Sequence, residues 1–157
     1  MNEVDDEVKI DECSAMMVVR ILGRKWTTNI LCELLMNREM YFSELQAHIE
    51  GNYGEKISAR VLSEALSRLE EQTILQRKVI SDTMPVRVQY SLTQRGEDFK
   101  YIFAMFKGWG LKYGGITTKK CRSFSCIHNT VPFINLDNIE NCLCFEPIKK
   151  DDVKKSS

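Results

Sequence analysis

Ser58-Ala59-Arg60-Val61-Leu62-Ser63-Glu64-Ala65-Leu66-Ser67-Arg68-Leu69-Glu70-Glu71 is the stretch on which the fold turns. At about 100° per residue, Val61, Leu62, Ala65, Leu66 and Leu69 fall on one side of a helix. Arg60, Ser63, Glu64, Ser67, Arg68 and Glu71 fall on the other. Ser58 stands just before the first apolar residue, where its hydroxyl can accept an orphan backbone N–H of the first turn. Such a helix buries one face and offers the other, so its neighbours decide its use.

Downstream, two β-rich runs at 74–80 and 86–93 flank Ser81-Asp82-Thr83-Met84-Pro85 and read as a hairpin with a longer loop. Thr93 then caps a last helix reaching about Tyr113. Upstream, Ser43 reads as the N-cap of a short helix carrying Leu45 and Ile49, with Phe42 as its staple. Gly51 and Gly54 bracket the loop that follows. A helix from about Trp26 carries Ile30, Leu31, Leu34 and Leu35 on one face and breaks at Asn37-Arg38. Before it, the almost wholly apolar 15–22 stops at Gly23. Four helices, a hairpin and a helix, in that order, describe a winged helix-turn-helix. The expected class is mainly α (α+β), with a two-stranded wing, flanking dimerisation helices and a Cys-containing C-terminal tail.

The 157 residues allow one ordinary domain with an appendage. Charge and composition divide them into an acidic leader (1–12), a winged-helix domain (13–113) and a Cys-rich extension (114–157). Twenty-two Lys and Arg against twenty-two Asp and Glu exclude a polybasic binder, though not a local basic face. The acidic N-terminus does not resemble a signal peptide, and no apolar run approaches the ~20 residues of a membrane span. A cytoplasmic protein without membrane contact is expected. With His48 and His128 as its two histidines, and no Gly-rich phosphate loop or nucleophile elbow, the chain does not read as an enzyme.

Several segments resemble the HxlR family of winged-helix transcriptional regulators, relatives of the MarR type. Leu22-Gly23-Arg24-Lys25-Trp26-Thr27 is similar to that family's Gly-x-Lys-Trp entry to the second helix, and Ile30-Leu31-Cys32-Glu33-Leu34-Leu35 follows. Tyr41-Phe42-Ser43-Glu44-Leu45 is like its Arg-Phe-Ser-Glu-Leu. Ile57-Ser58-Ala59-Arg60-Val61-Leu62-Ser63, Leu69-Glu70-Glu71, Pro85-Val86-Arg87-Val88-Gln89-Tyr90-Ser91-Leu92-Thr93, Gly96 and Trp109-Gly110 come in the family's order. The resemblance covers about residues 12–113 and implies a dimeric transcription regulator that binds operator DNA. The sequence departs from it in three places. Asn52 to Lys56 are inserted before the recognition helix, Ser14 follows Cys13 where the family often has proline, and the tail beyond Gly115 has no counterpart.

In such a fold the helix at about 58–72 enters the major groove. It offers Ser58, Ala59, Arg60, Ser63, Ser67 and Arg68, and Arg60 suits a bidentate contact to guanine because its planar fork matches two acceptors on that base. The wing, 80–87, meets the backbone or minor groove, with Arg77, Lys78 and Arg87 as its cations. Lys25 and Ser43, at helix starts, are phosphate candidates. Between Lys56 and Arg87, six bases face four acids, so modest affinity and a moderate salt slope are expected. The same acids, with the neutral total, leave a protein-binding winged helix as the alternative. Met16 and Val19 in the first helix, and Phe99, Ile102, Phe103, Phe106 and Trp109 in the last, exceed what a small domain needs to bury, so either the tail or a second subunit covers the excess, and a two-fold dimer is favoured.

The cysteines leave more than one reading open. Cys13 is a candidate redox sensor, although the acidic leader should blunt its thiol. Cys32 reads as a small packing residue. Cys121, Cys126, Cys142 and Cys144 could together hold zinc, the one cofactor the chain suggests, form reversible disulfides, or share no site. No small-molecule effector is legible.

Overall fold

The computed structural model describes residues 13–113; the leader, the extension and the four tail cysteines lie outside them. The described elements run α1 (Ser14–Leu22), α2 (Thr27–Asn37), β1 (Glu39–Tyr41), α3 (Phe42–Tyr53), α4 (Ala59–Glu71), β2 (Leu75–Ile80), β3 (Arg87–Leu92), α5 (Gln94–Glu97) and α6 (Phe99–Tyr113). This is a winged helix, mainly α with one small antiparallel sheet. The chain forms two compact units, one ending at Phe99 and the other beginning at Lys100. In the second, the described residues all belong to α6.

The core of the first unit assembles from the apolar stripes that period 3.6 predicts. Ile30, Leu31 and Leu34 of α2, Leu45 and Ile49 of α3, and Leu62, Leu66 and Leu69 of α4 are buried, and Ile74, Leu75 and Leu92 close the stack from the sheet side. Trp26 is buried too, so its indole packs in the core. Val61 departs from its expected place inside: it is 38% exposed. The buried stripe of α4 is the i, i+3, i+4, i+7 set 62, 65, 66 and 69. Val61 sits at the edge of that arc, in the first turn.

The sheet order is β1-β3-β2, with β3 paired antiparallel to both neighbours. The hairpin lies where the two β-rich runs put it. β1 is an addition, because three residues are too short to show a period. Met40, opposite Tyr90, is buried and anchors it. Strand β1 also moves the start of the next helix. Tyr41 takes the N-cap position, its N–H donating to the Glu44 carboxylate at 3.0 Å. Ser43, expected as that cap, is instead the second helical residue, and Phe42 is the first, its ring centroid 6.5 Å from that of Tyr90.

The expected loop after α3 is also shorter. Gly51 continues the helix to Tyr53, and Gly54, at φ 71°, ends it with its N–H on the Glu50 carbonyl. Asn52, one of the inserted residues, therefore adds to a helical turn.

A single last helix was expected after Thr93, and the structure breaks it at Asp98. The Thr93 hydroxyl accepts the Gly96 N–H as the expected cap, yet it also lies 2.6 and 3.0 Å from the Thr73 and Ile74 carbonyls, to which it donates. Gly96 is required there, since a Cβ would overlap the Ile74 carbonyl oxygen. The turn between α4 and β2 thus pins the first turn, a constraint that the unbroken helical pattern does not reveal.

Candidate nucleic-acid interface

The geometry of α4 is set from both sides of its N-terminus. Ser58 caps the helix, its Oγ accepting the Val61 N–H at 3.3 Å. One residue earlier, the Ile57 peptide is held by α3. Its carbonyl accepts from Gln46 Nε2 at 2.8 Å and its N–H donates to the Glu50 carboxylate at 3.2 Å. The longer turn before α4 is therefore clamped at its last residue. Sequence reasoning missed Gln46 and Glu50, which look like ordinary polar helix-surface residues.

Beyond the cap, Ala59, Arg60, Ser63, Glu64 and Ser67 are exposed on one face, while Arg68 is half-buried. Arg60 Nε donates to Glu64 Oε1 at 2.9 Å, one helical turn along. The hydroxyl of Ser58 is engaged with its own helix. The expected set therefore presents one guanidinium and two serine hydroxyls, Ser63 and Ser67, outward.

The wing cations do not act as one group. Arg77 stands opposite Tyr90, Lys78 opposite Gln89, and Arg87 opposite Ile80. Alternation then puts Lys78 and Arg87 on one face of the ribbon with Gln89 and Tyr41, and Arg77 on the other. Arg87 lies over the Tyr41 ring, 4.6 Å from its centroid. On the opposite face, burial raises the Tyr90 phenol above its ordinary value, with Arg77 lowering it and Glu70 raising it further. Arg77 thus shares its surroundings with an acid of α4.

Of the two helix-start candidates, Lys25 is already partnered. Lys25 Nζ is 3.1 Å from Glu55 and 4.8 Å from the Trp26 ring centroid. Both charges line an open hollow of about 400 Å³ where α1, α2 and α3 end or begin. Ser43 is exposed in the first turn of α3, but Glu44 beside it brings a carboxylate to the same helix end.

Behind the face, α2 and α3 are joined by a buried carboxyl group. Glu33 is fully buried; Asn52 Nδ2 donates to its Oε1 at 2.7 Å, and His48 Nδ1 and Asn37 Nδ2 lie 3.2 and 3.4 Å from its Oε2. Nothing in the sequence marks Glu33, because the spacing of α2 leaves no visible gap for an acid in the core. Next to it, burial, then the Glu33 charge, pushes the Cys32 thiol from 9.0 up to about 12, with Tyr53 pulling weakly the other way. Cys32 is a buried packing residue, as expected. Cys13, half-buried, occupies the N-cap position of α1.

A family model, the HxlR-like helix-turn-helix, matches residues 21–118. The chain belongs to that family. Among relatives of this HxlR-like chain, an uncharacterized HTH-type transcriptional regulator of Bacillus subtilis, YvaP, is 37% identical over 95 residues, covering 60% of this chain and 82% of its own. The reduced form of the transcriptional regulator YodB from B. subtilis is similar at a TM-score of 0.54 and 28% identity, over 66% of this chain and 95% of that one. The redox regulator HypR in its oxidized form is similar at 0.51 and 28%, over 64% and 96%. Among the described residues no helix is long and apolar enough to cross a membrane.

Proposed function

We propose that this HxlR-like regulator of transcription binds DNA as a homodimer, with α4 in the major groove and the wing on the backbone or minor groove. The observation that carries this reading is the exposed polar face of α4, held at its start by the Ser58 cap and the clamped Ile57 peptide. Arg60 points its fork at a base edge, while Ser63, Ser67 and Arg68 serve bases or phosphates. Lys78 and Arg87, sharing a face, contact phosphate together, and Arg77 contributes less. The dimer uses the apolar surface the chain leaves open. Met16 and Val19 are exposed in α1, and Phe106, Trp109 and Tyr113 form an exposed stripe along α6; Phe99 and Phe103 are buried.

The test is selection of duplexes from a random-sequence pool by the purified protein, followed by titration of a selected and a random duplex at several salt concentrations. A selected duplex bound tightly, with binding that falls with salt, is expected. Equal, salt-independent binding to both would overturn the reading and return the alternative of a protein-binding winged helix.

A second reading concerns redox control. The likeness to HypR and the place of Cys13 at the head of α1 favour a thiol-responsive regulator. Loss of DNA binding on diamide treatment, abolished by Cys13→Ser, is expected; a Cys13→Ser protein that responds unchanged would remove Cys13 from the role. Zinc in the extension, at Cys121, Cys126, Cys142 and Cys144, is decided by elemental analysis of protein purified without chelator.

A further inference from the structure

Glu64 is an acid on the face that meets a polyanion, and its place there needs a reason. A carboxylate facing phosphates costs affinity, and α4 already carries Glu70 and Glu71 further along. The geometry supplies one. Arg60 and Glu64 are four residues apart on α4, and Nε of Arg60 donates to Glu64 Oε1 at 2.9 Å. The Arg60 side chain is 88% exposed and that of Glu64 53%, so no packing holds the guanidinium in place. A long unsupported side chain loses rotamer freedom when it binds, and a partner that orders it beforehand removes part of that cost. The bond uses Nε, which leaves the two terminal nitrogens as a free fork. That end-on pair fits the paired acceptors on guanine.

We propose that Glu64 is a positioning residue for base readout: it holds the Arg60 guanidinium by Nε so that both terminal nitrogens face one guanine. This rests on the reading of α4 as the recognition helix. It gives up general affinity for DNA in exchange for discrimination, since the acid repels phosphates on every sequence but orders Arg60 for one base. The two effects therefore have opposite signs, the repulsion acting on every duplex and the ordering only on the selected one.

The experiment compares wild type, R60A, E64A, E64Q and the R60A/E64A double variant on a duplex selected by the wild type, its single-base variants, and a random duplex. Both side chains are exposed, so the variants should fold, which thermal melting checks. E64A is expected to lower the preference for the selected duplex roughly tenfold, a part of what one bidentate base contact carries. Its binding to random duplex should be unchanged or stronger. The lost preference should fall at the same base pair as in R60A, the double variant should discriminate no worse than R60A, and E64Q, which keeps an acceptor for Nε, should retain most of the preference.

E64A binding both duplexes more tightly by the same factor would make Glu64 only a repelling charge and overturn the proposal. Loss of preference at a different base pair would overturn it too, because Glu64 would then read a base itself. Failure of the underlying reading shows elsewhere: wild type would select no duplex, or R60A would match wild type on both, and the pair would then have no part in readout. R60A losing its discrimination while E64A keeps the full preference overturns the proposal alone and leaves the reading of α4 standing.

Discussion

Helix α4 and helix α6 both carry apolar side chains, more of them in α6, and use them differently. In α4 the large apolar side chains are buried apart from Val61, and the opposite face is polar. In α6, Tyr101, Phe106, Trp109 and Tyr113 are each more than half exposed. The rings of Trp109 and Tyr113 lie 5.1 Å apart, so part of this surface covers itself, but the stripe remains open. The contrast teaches what each helix is for. An amphipathic helix with a clean division has its partners within the chain and leaves a polar face for a polar ligand. A helix with an apolar stripe left in water has further surface to bury.

The largest expected effect attacks the open stripe. Phe106→Glu should yield monomers by sedimentation and weaken binding to paired half-sites roughly 100-fold or more, because two linked contacts become one. An unaltered dimer would remove α6 from the interface. The same comparison predicts the reverse on α4. Leu66→Ala should cost about 2–5 kcal/mol in a denaturant titration, as for other buried leucines, whereas Phe106→Ala should change that titration little once protein concentration is low. Equal losses in both would erase the distinction.

Next come the exposed contacts of α4 and the wing. Arg60→Ala should cost roughly 1–3 kcal/mol of discrimination between selected and random duplex, with little change on random DNA. A uniform loss would make Arg60 a phosphate contact. Lys78→Ala and Arg87→Ala should each flatten the salt dependence by about one unit, and Arg77→Ala by less, since it lies on the other face of the ribbon. Three equal slopes would put both faces of the wing on the DNA.

The smallest effect near neutral pH concerns Cys32. Its folded pKa is raised from 9.0 to about 12, so the stability it contributes is fully present below pH 9 and is lost as pH rises toward 12. The native protein should leave Cys32 unmodified by a thiol reagent at pH 8 and expose it on denaturation. Rapid native labelling would mean that α2 opens readily.

Much of this was legible along the chain, and the reasons differ by element. Helix α4 showed because its residues repeat with the period of the structure they form, its Ser58 cap because capping is local, and the hairpin because two β-rich runs flank a turn segment. The start of α3 was misjudged at Ser43, since a serine before an apolar run looks like a cap whether or not a strand precedes it. Strand β1 exists only because β3 is there to pair with it. Of the candidate interface, the residue types were visible, whereas their grouping was not. Arg77, Lys78 and Arg87 look alike in sequence, and only the register separates one from the other two.

The sequence by itself determined the helix-turn-helix order, the buried stripes and the polar face of α4, because periodicity and capping are local properties that each segment carries alone. Tertiary structure decided the rest. It buried Glu33 beneath Asn52 and His48, clamped Ile57 between Gln46 and Glu50, split the last helix at Asp98 and brought Tyr41 under Arg87. Each of these joins residues from different elements or answers to a constraint that another element imposes. A polar side chain's partner across such a distance is chosen by packing, which no local pattern records.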